Sequence, residues 1–204
     1  LRDIFPTSES SYHACIHARE LPNLLKAIEQ RPDDLAKYAI KLIMLTSVRT
    51  GELIGARWNE INWAKEEWHI PKERMKMNRP HIVPLSSQST VLLKEIKAIT
   101  GDKAHVFHGP VSKSKHISNG TILMGLRRMG YKNRMTGHGF RSLASTILNE
   151  KGYPPDWIER QLAHEDDDKI RSAYNRAEYL LERKKMMQEY ADYLESTLSM
   201  GNAK

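Results

Sequence analysis

The amino-acid sequence predicts a mainly α fold with one small three-stranded antiparallel β-sheet. Over most of the chain, apolar residues recur at the i, i+3, i+4 and i+7 spacing of helices with one buried face. Between Ile61 and Leu85 that period gives way to short apolar runs joined by charged turns, the pattern of strands. The length, 204 residues, suits one large domain with its own core.

Residues 1–17 read as irregular and linker-like, with Pro6 and the stretch from Ser8 to Ser11 as breakers. A helix is expected from near Ala18, because Leu21, Leu24, Leu25 and Ile28 share a face and Pro32 stops the run. Asp33 or Asp34 can start the next helix, over about 34–46. Leu35, Ala39, Leu42, Ile43 and Leu45 make it apolar nearly all round, as a buried central helix is. A short helix is expected near Gly51–Ala56. Strands follow at Ile61–Trp63, Trp68–Ile70 and Ile82–Leu85, and helices return beyond Ser89. Gly101–Lys115 reads as a loop. Ser118 can cap a helix reaching Arg127 and Arg128. Phe140, Leu143, Ala144, Ile147 and Leu148 stripe a helix over 140–151, and Pro154, Pro155 and Asp156 open another. Asp166–Asp168 can cap a short helix leading to Tyr174, and a last helix is expected over 177–198.

A formal net charge of +7 points to a polyanionic partner, of which nucleic acid is the commonest. The single cysteine, Cys15, excludes an internal disulfide and a multi-cysteine zinc site, and suits a reducing cytosol. The longest apolar run, Ala39 to Val48, is broken by Lys41, Thr46 and Ser47 and is too short to span a membrane. The chain opens at Leu1 with no signal-peptide pattern after it, and reads as part of a longer protein.

Five stretches carry candidate chemistry. They are Thr46–Leu53 with Arg49 and Glu52, then Arg74-Met75-Lys76 followed by Ile82–Leu85, then Thr136–Arg141 with His138 and Arg141. Gln161–His164 and Ala173–Arg176, which contains Tyr174, complete the set. Each alone has an ordinary reading. Arg49 and Glu52 could be a surface ion pair, Lys76 one of several solvated charges, His164 a helix-end residue and Tyr174 a core tyrosine. Their order and spacing together resemble the signature of the tyrosine recombinases, the phage integrases. The segment from Tyr174 to Leu180 and the later Met186-Met187 and Ala191–Leu194 are most similar to integrases of satellite phages and genomic islands. The type IB topoisomerases share the chemistry. A regulator that kept the fold without activity is the other alternative.

The resemblance implies a catalytic domain over 18–198, its amino-terminal DNA-binding domains absent from this chain. It implies strand exchange between DNA sites through a covalent 3′-phosphotyrosine and a Holliday junction. Tyr174 would be the nucleophile, and Arg49 and Arg141 would hold the non-bridging phosphate oxygens with their charged forks. Lys76, eight residues before Pro84, would protonate the leaving 5′ oxygen. His138 and His164 would bind the phosphate or help deprotonate the phenol, and Glu52 would orient Arg49. No cofactor, metal or ATP is implied. The partners implied are double-stranded attachment-site DNA, three further copies in a homotetramer on that DNA, and accessory DNA-bending or directionality proteins. No membrane is implied, and the setting is cytoplasmic. A zinc site at His13 and His17 lacks both a helix and a third ligand, and Asp166–Asp168 read as a cap, not as a magnesium site.

Lys113, Lys115, Arg127, Arg128, Lys132 and Arg134 cluster as donors suited to phosphate, and the resemblance assigns this region to the duplex. In the last helix, Leu180, Met187, Ala191, Leu194 and Leu198 form one apolar stripe and Met186, Tyr190 and Tyr193 a second. Two faces exceed what one docking side usually hides, and the resemblance implies that this helix acts between protomers.

Overall fold

The computed structural model describes residues 14–76, 78–109, 115–164 and 178–202. His13, Lys113, Asp166–Asp168 and Tyr174 lie outside them, as do most of the linker-like segment and the short helix expected before Tyr174. The helices are α1 (Leu21–Glu29), α2 (Leu35–Thr46), α3 (Thr50–Ile54), α4 (Ser87–Thr100), α5 (Asn119–Arg128), α6 (Gly137–Glu150), α7 (Pro155–Leu162) and α8 (Leu180–Asn202). The strands are β1 (Ile61–Asn62), β2 (Glu67–Ile70) and β3 (His81–Pro84). They form one antiparallel sheet in the order β1-β2-β3, with Trp68 opposite Ile61 on one side and Val83 on the other.

α2 is the central helix. Ala39, Ile40, Leu42 and Ile43 are buried, and α3, α4, α5, α6 and α8 all pack on it. Asp34, not Asp33, is its cap: the carboxylate accepts from the Lys37 amide at 2.8 Å. At the other end Ser47 takes a left-handed conformation, φ 55°, which turns the chain sharply into the extended Val48-Arg49 and then α3. α6 begins three residues before the expected start, because the Thr136 hydroxyl caps the Gly139 amide at 3.0 Å. This earlier start brings His138 onto the helix, one turn ahead of Arg141. Ser118 holds the cap position of α5 but makes no side-chain capping bond.

α8 packs on its own chain, against α1, α2, α7 and β3. Met186, Met187, Tyr190, Ala191 and Leu194 are buried, and Leu180, Tyr193 and Leu198 are half-buried. Elements on several sides of α8 cover apolar surface from both stripes. Each large side chain buried there contributes roughly 1.5–3 kcal/mol.

Candidate active site

The site is built on the carboxyl end of α7. The last four carbonyls of a helix have no partner within it. Here Ala163 is left-handed, φ 47°, and its amide donates to the Arg160 carbonyl at 3.2 Å while the His164 amide reaches the Glu159 carbonyl at 3.1 Å. That closing turn is of the Schellman type and satisfies two carbonyls. The next three are taken by side chains from elsewhere. His81 of β3 lies 3.2 Å from the Gln161 carbonyl. Arg141 of α6 donates to the Leu162 carbonyl at 2.6 Å, and Arg49 donates to the Ala163 carbonyl at 2.6 Å. Two arginines from distant parts of the chain thus meet at the negative end of one helix dipole.

Arg49 is held from its other side as well. Its backbone amide donates to Glu52 Oε2 at 2.8 Å, and its guanidinium to Oε1 at 3.0 Å. The Glu52 carboxylate is buried, which fits the orienting role expected of it. Arg141 is 2% exposed and also donates to the Ser47 carbonyl at 2.6 Å. Among the described residues no carboxylate pairs with it, and its buried Nε has no hydrogen-bond partner. Burial pushes its pKa down to about 10, and the Arg49 charge pushes the same way. The guanidinium is still a cation at neutral pH, so Arg141 is a buried positive group with a donor to spare, beside the partly exposed Arg49.

His164 follows directly on Ala163 and is exposed, with Nδ1 2.6 Å from Glu159 Oε2. That hydrogen bond holds the Glu159 carboxyl below its ordinary range. His138 is exposed on the first turn of α6. Lys76 is exposed in the turn that follows a 3₁₀ helix, Lys72–Arg74. The structure therefore gathers Arg49, Glu52, Arg141 and His164 around the end of α7. Lys76 lies in the turn between β2 and β3, and Tyr174 lies outside the described residues. Of the proposed phosphate donors, Lys115, Arg127, Arg128 and Lys132 are exposed. Arg134 is exposed too, but it is ion-paired with Glu20 and lies over the Tyr131 ring.

Three supporting residues lie outside the expected catalytic set. Arg183 of α8 is 0% exposed and donates to the Ile82 carbonyl at 2.7 Å, to Gln161 Oε1 at 2.9 Å and to the Glu178 carbonyl at 3.2 Å. Burial draws its pKa down to about 9, with the Arg160 charge adding to the effect. Gln161 passes the link on, donating to the Thr46 carbonyl at 2.9 Å. His81 is buried, and burial with the nearby charges of Arg183 and Arg160 pushes its pKa down to about 3. Arg183 had a readable signal: it stands three and four residues before Met186 and Met187, in register with the buried side of α8.

Residues 15–180 match the phage integrase family. The chain is 45% identical over 189 residues to the prophage integrase IntZ of Escherichia coli K12, covering 92% of this chain and 46% of that protein. It is 39% identical over 206 residues to the integrase of Enterobacteria phage P4, covering 93% and 47%. The chain thus spans about half the length of the curated relatives it matches. In fold it is similar to the integrase from mycobacterium phage Brujita, with TM-score 0.65, 16% identity and coverage of 95% of this chain and 65% of that one. The lambda integrase catalytic core matches with TM-score 0.56, 20% identity and coverage of 76% and 94%. With residues 15–180 matched by the family and relatives at 45% and 39% identity over about nine-tenths of its length, the chain belongs to the phage integrase family.

Proposed function

We propose that residues 18–198 are the catalytic domain of a tyrosine recombinase that breaks and rejoins double-stranded DNA at attachment sites of a mobile element. The observation that carries this reading is Arg141, a buried cation beside Arg49 with an unpartnered Nε and no carboxylate among the described residues. A desolvated guanidinium left with an open donor is suited to an anion that arrives with substrate. Phosphate in a pentacoordinate transition state gains negative charge, and preorganised donors act most strongly there.

The proposed reaction follows from that centre. The Tyr174 oxygen attacks the scissile phosphorus and yields its proton to His138 or His164. The bond from phosphorus to the 5′ oxygen breaks, and Lys76 protonates that oxygen. The products are a 3′-phosphotyrosine and a free 5′-hydroxyl. The 5′-hydroxyl of a second duplex then attacks the phosphotyrosine, restoring the tyrosine and passing through a Holliday junction. Four protomers on two duplexes would supply the four cleavages, with accessory DNA-bending proteins shaping the sites. Lys113, Lys115, Arg127, Arg128, Lys132 and Arg134 are assigned to the phosphate backbone beside the scissile bond. The resemblance to solved recombinases that were captured on DNA, among them a lambda integrase tetramer bound to a Holliday junction, supports DNA as the partner.

Trapping on nicked suicide duplexes tests this. A pool of such duplexes should yield a protein–DNA adduct stable to detergent, attached through Tyr174 and formed equally in EDTA. DNA binding with no adduct would favour the regulator. Relaxation of supercoiled DNA without exchange between two sites would favour a topoisomerase.

A further inference from the structure

We propose that Arg74, anchored by Glu60, is a positioning residue that sets the Lys76 turn against the helix that Arg49 precedes. The inference rests on the reading of Lys76 as the proton donor to the leaving oxygen. Lys76 is exposed and its flexible stem alone cannot fix where its ammonium lies. The two residues before it are fixed. Met75 is buried in the core, and Arg74 is clamped from two directions. One amine of its guanidinium is ion-paired with Glu60, and the other donates to the backbone carbonyl of Glu52.

Both anchors are themselves rigid. The Glu60 carboxylate is buried, and its Oε2 also accepts from Trp68 Nε1 at 3.0 Å and from the Arg57 amide at 3.2 Å. Glu52 belongs to α3, and its carboxylate is the group that orients Arg49. The guanidinium lies close against α3: a Cβ added to Gly55 would stand 3.0 Å from Arg74 Nη2. A planar fork that bridges two fixed acceptors transmits position, where a single ammonium could not. Arg74 therefore joins the hairpin bearing the proposed acid to the helix that follows one proposed phosphate-binding arginine. Proton transfer needs its donor within hydrogen-bond reach of the oxygen, so the joint governs how often Lys76 is in place.

The test compares suicide duplexes with oxygen or sulfur at the bridging 5′ position. A thiolate leaves without a proton, so a defect in delivering that proton disappears on sulfur. Lys76→Ala is the reference. Arg74→Lys, which keeps the charge opposite Glu60 and loses the fork, should slow cleavage of the oxygen duplex by about tenfold and of the sulfur duplex by no more than about twofold. The double variant should be no slower than Lys76→Ala alone. Gly55→Ala, which presses on the guanidinium without removing it, should give a smaller slowing with the same rescue by sulfur, and serves if Arg74→Lys does not fold. Equal slowing on both duplexes, additive defects, or wild-type rates on oxygen would overturn the proposal. If Lys76→Ala itself is not rescued by sulfur, the proton-donor assignment fails and this inference falls with it. Rescue of Lys76→Ala without rescue of Arg74→Lys rejects the inference alone.

Discussion

Mild acid should loosen this domain through His81. The imidazole is buried, and it meets the Gln161 carbonyl at the end of α7 where Arg141 and Arg49 also attach. In the folded chain its pKa is about 3, against 6.5 when free. Above 6.5 the ring is neutral in both states and the fold keeps its full stability. As the pH falls below 6.5 the unfolded chain takes up a proton that the folded chain refuses, and stability declines towards the folded pKa. Each pH unit in that window costs about 1.4 kcal/mol, so moving from 6.5 to 5 removes about 2 kcal/mol. His105, also lowered by burial, acts in the same direction. Depressed carboxylates such as Glu159 and Asp34 lose their contribution only at lower pH, as they begin to protonate. Urea unfolding at pH 7.5 and 5 should show the loss in the parent chain. His81→Gln keeps a donor for the Gln161 carbonyl and has no proton to gain, so it should lose about 2 kcal/mol less over the same interval. Equal pH dependence in parent and variant would refute the assignment of the effect to His81.

Four further outcomes are expected. Tyr174→Phe should bind DNA normally and form no covalent adduct, as read on denaturing gels; an adduct through Tyr179 would move the nucleophile. Arg49→Ala and Arg141→Ala should each slow single-turnover cleavage by about 10²-fold or more, and lysine at either position should restore little because it lacks the fork. Glu52→Gln should slow cleavage less than Arg49→Ala, since it weakens the hold on Arg49 without removing the cation; a larger loss would make Glu52 more than an orienting group. Binding to duplex DNA should weaken steeply with salt, and Arg127→Gln should lower the slope of log affinity against log salt by about one, which titration at several salt concentrations measures.

What could be read in the sequence, and what could not, divides along a physical line. Helix and strand positions follow from side-chain periodicity and helix-starting residues, so α2 and the three strands fall close to where the apolar pattern puts them, and α7 starts where Pro154, Pro155 and Asp156 open it. The start of α6 does not, because Gly137, His138 and Gly139 are poor signals for a helix whose first turn depends on the Thr136 cap. For α8, periodicity tells how many faces are apolar, not how many neighbours the chain itself supplies. The site divides in the same way. Arg49, Glu52 and Arg141 stand in recognisable strings, but most of what holds Arg49, Arg141, His81 and Arg183 in place is backbone carbonyl oxygen from Ser47, Ile82, Gln161, Leu162, Ala163 and Glu178. A carbonyl is the same in every residue and leaves no letter to find. The cations of such a centre are visible in a sequence and their holders are not. That choice of holder also has a chemical use. A carboxylate on Arg141 would neutralise the charge that a phosphate is to meet, whereas a carbonyl fixes the guanidinium and leaves its charge intact. Glu52 is the exception, and it serves the more exposed arginine, where water already screens part of the charge.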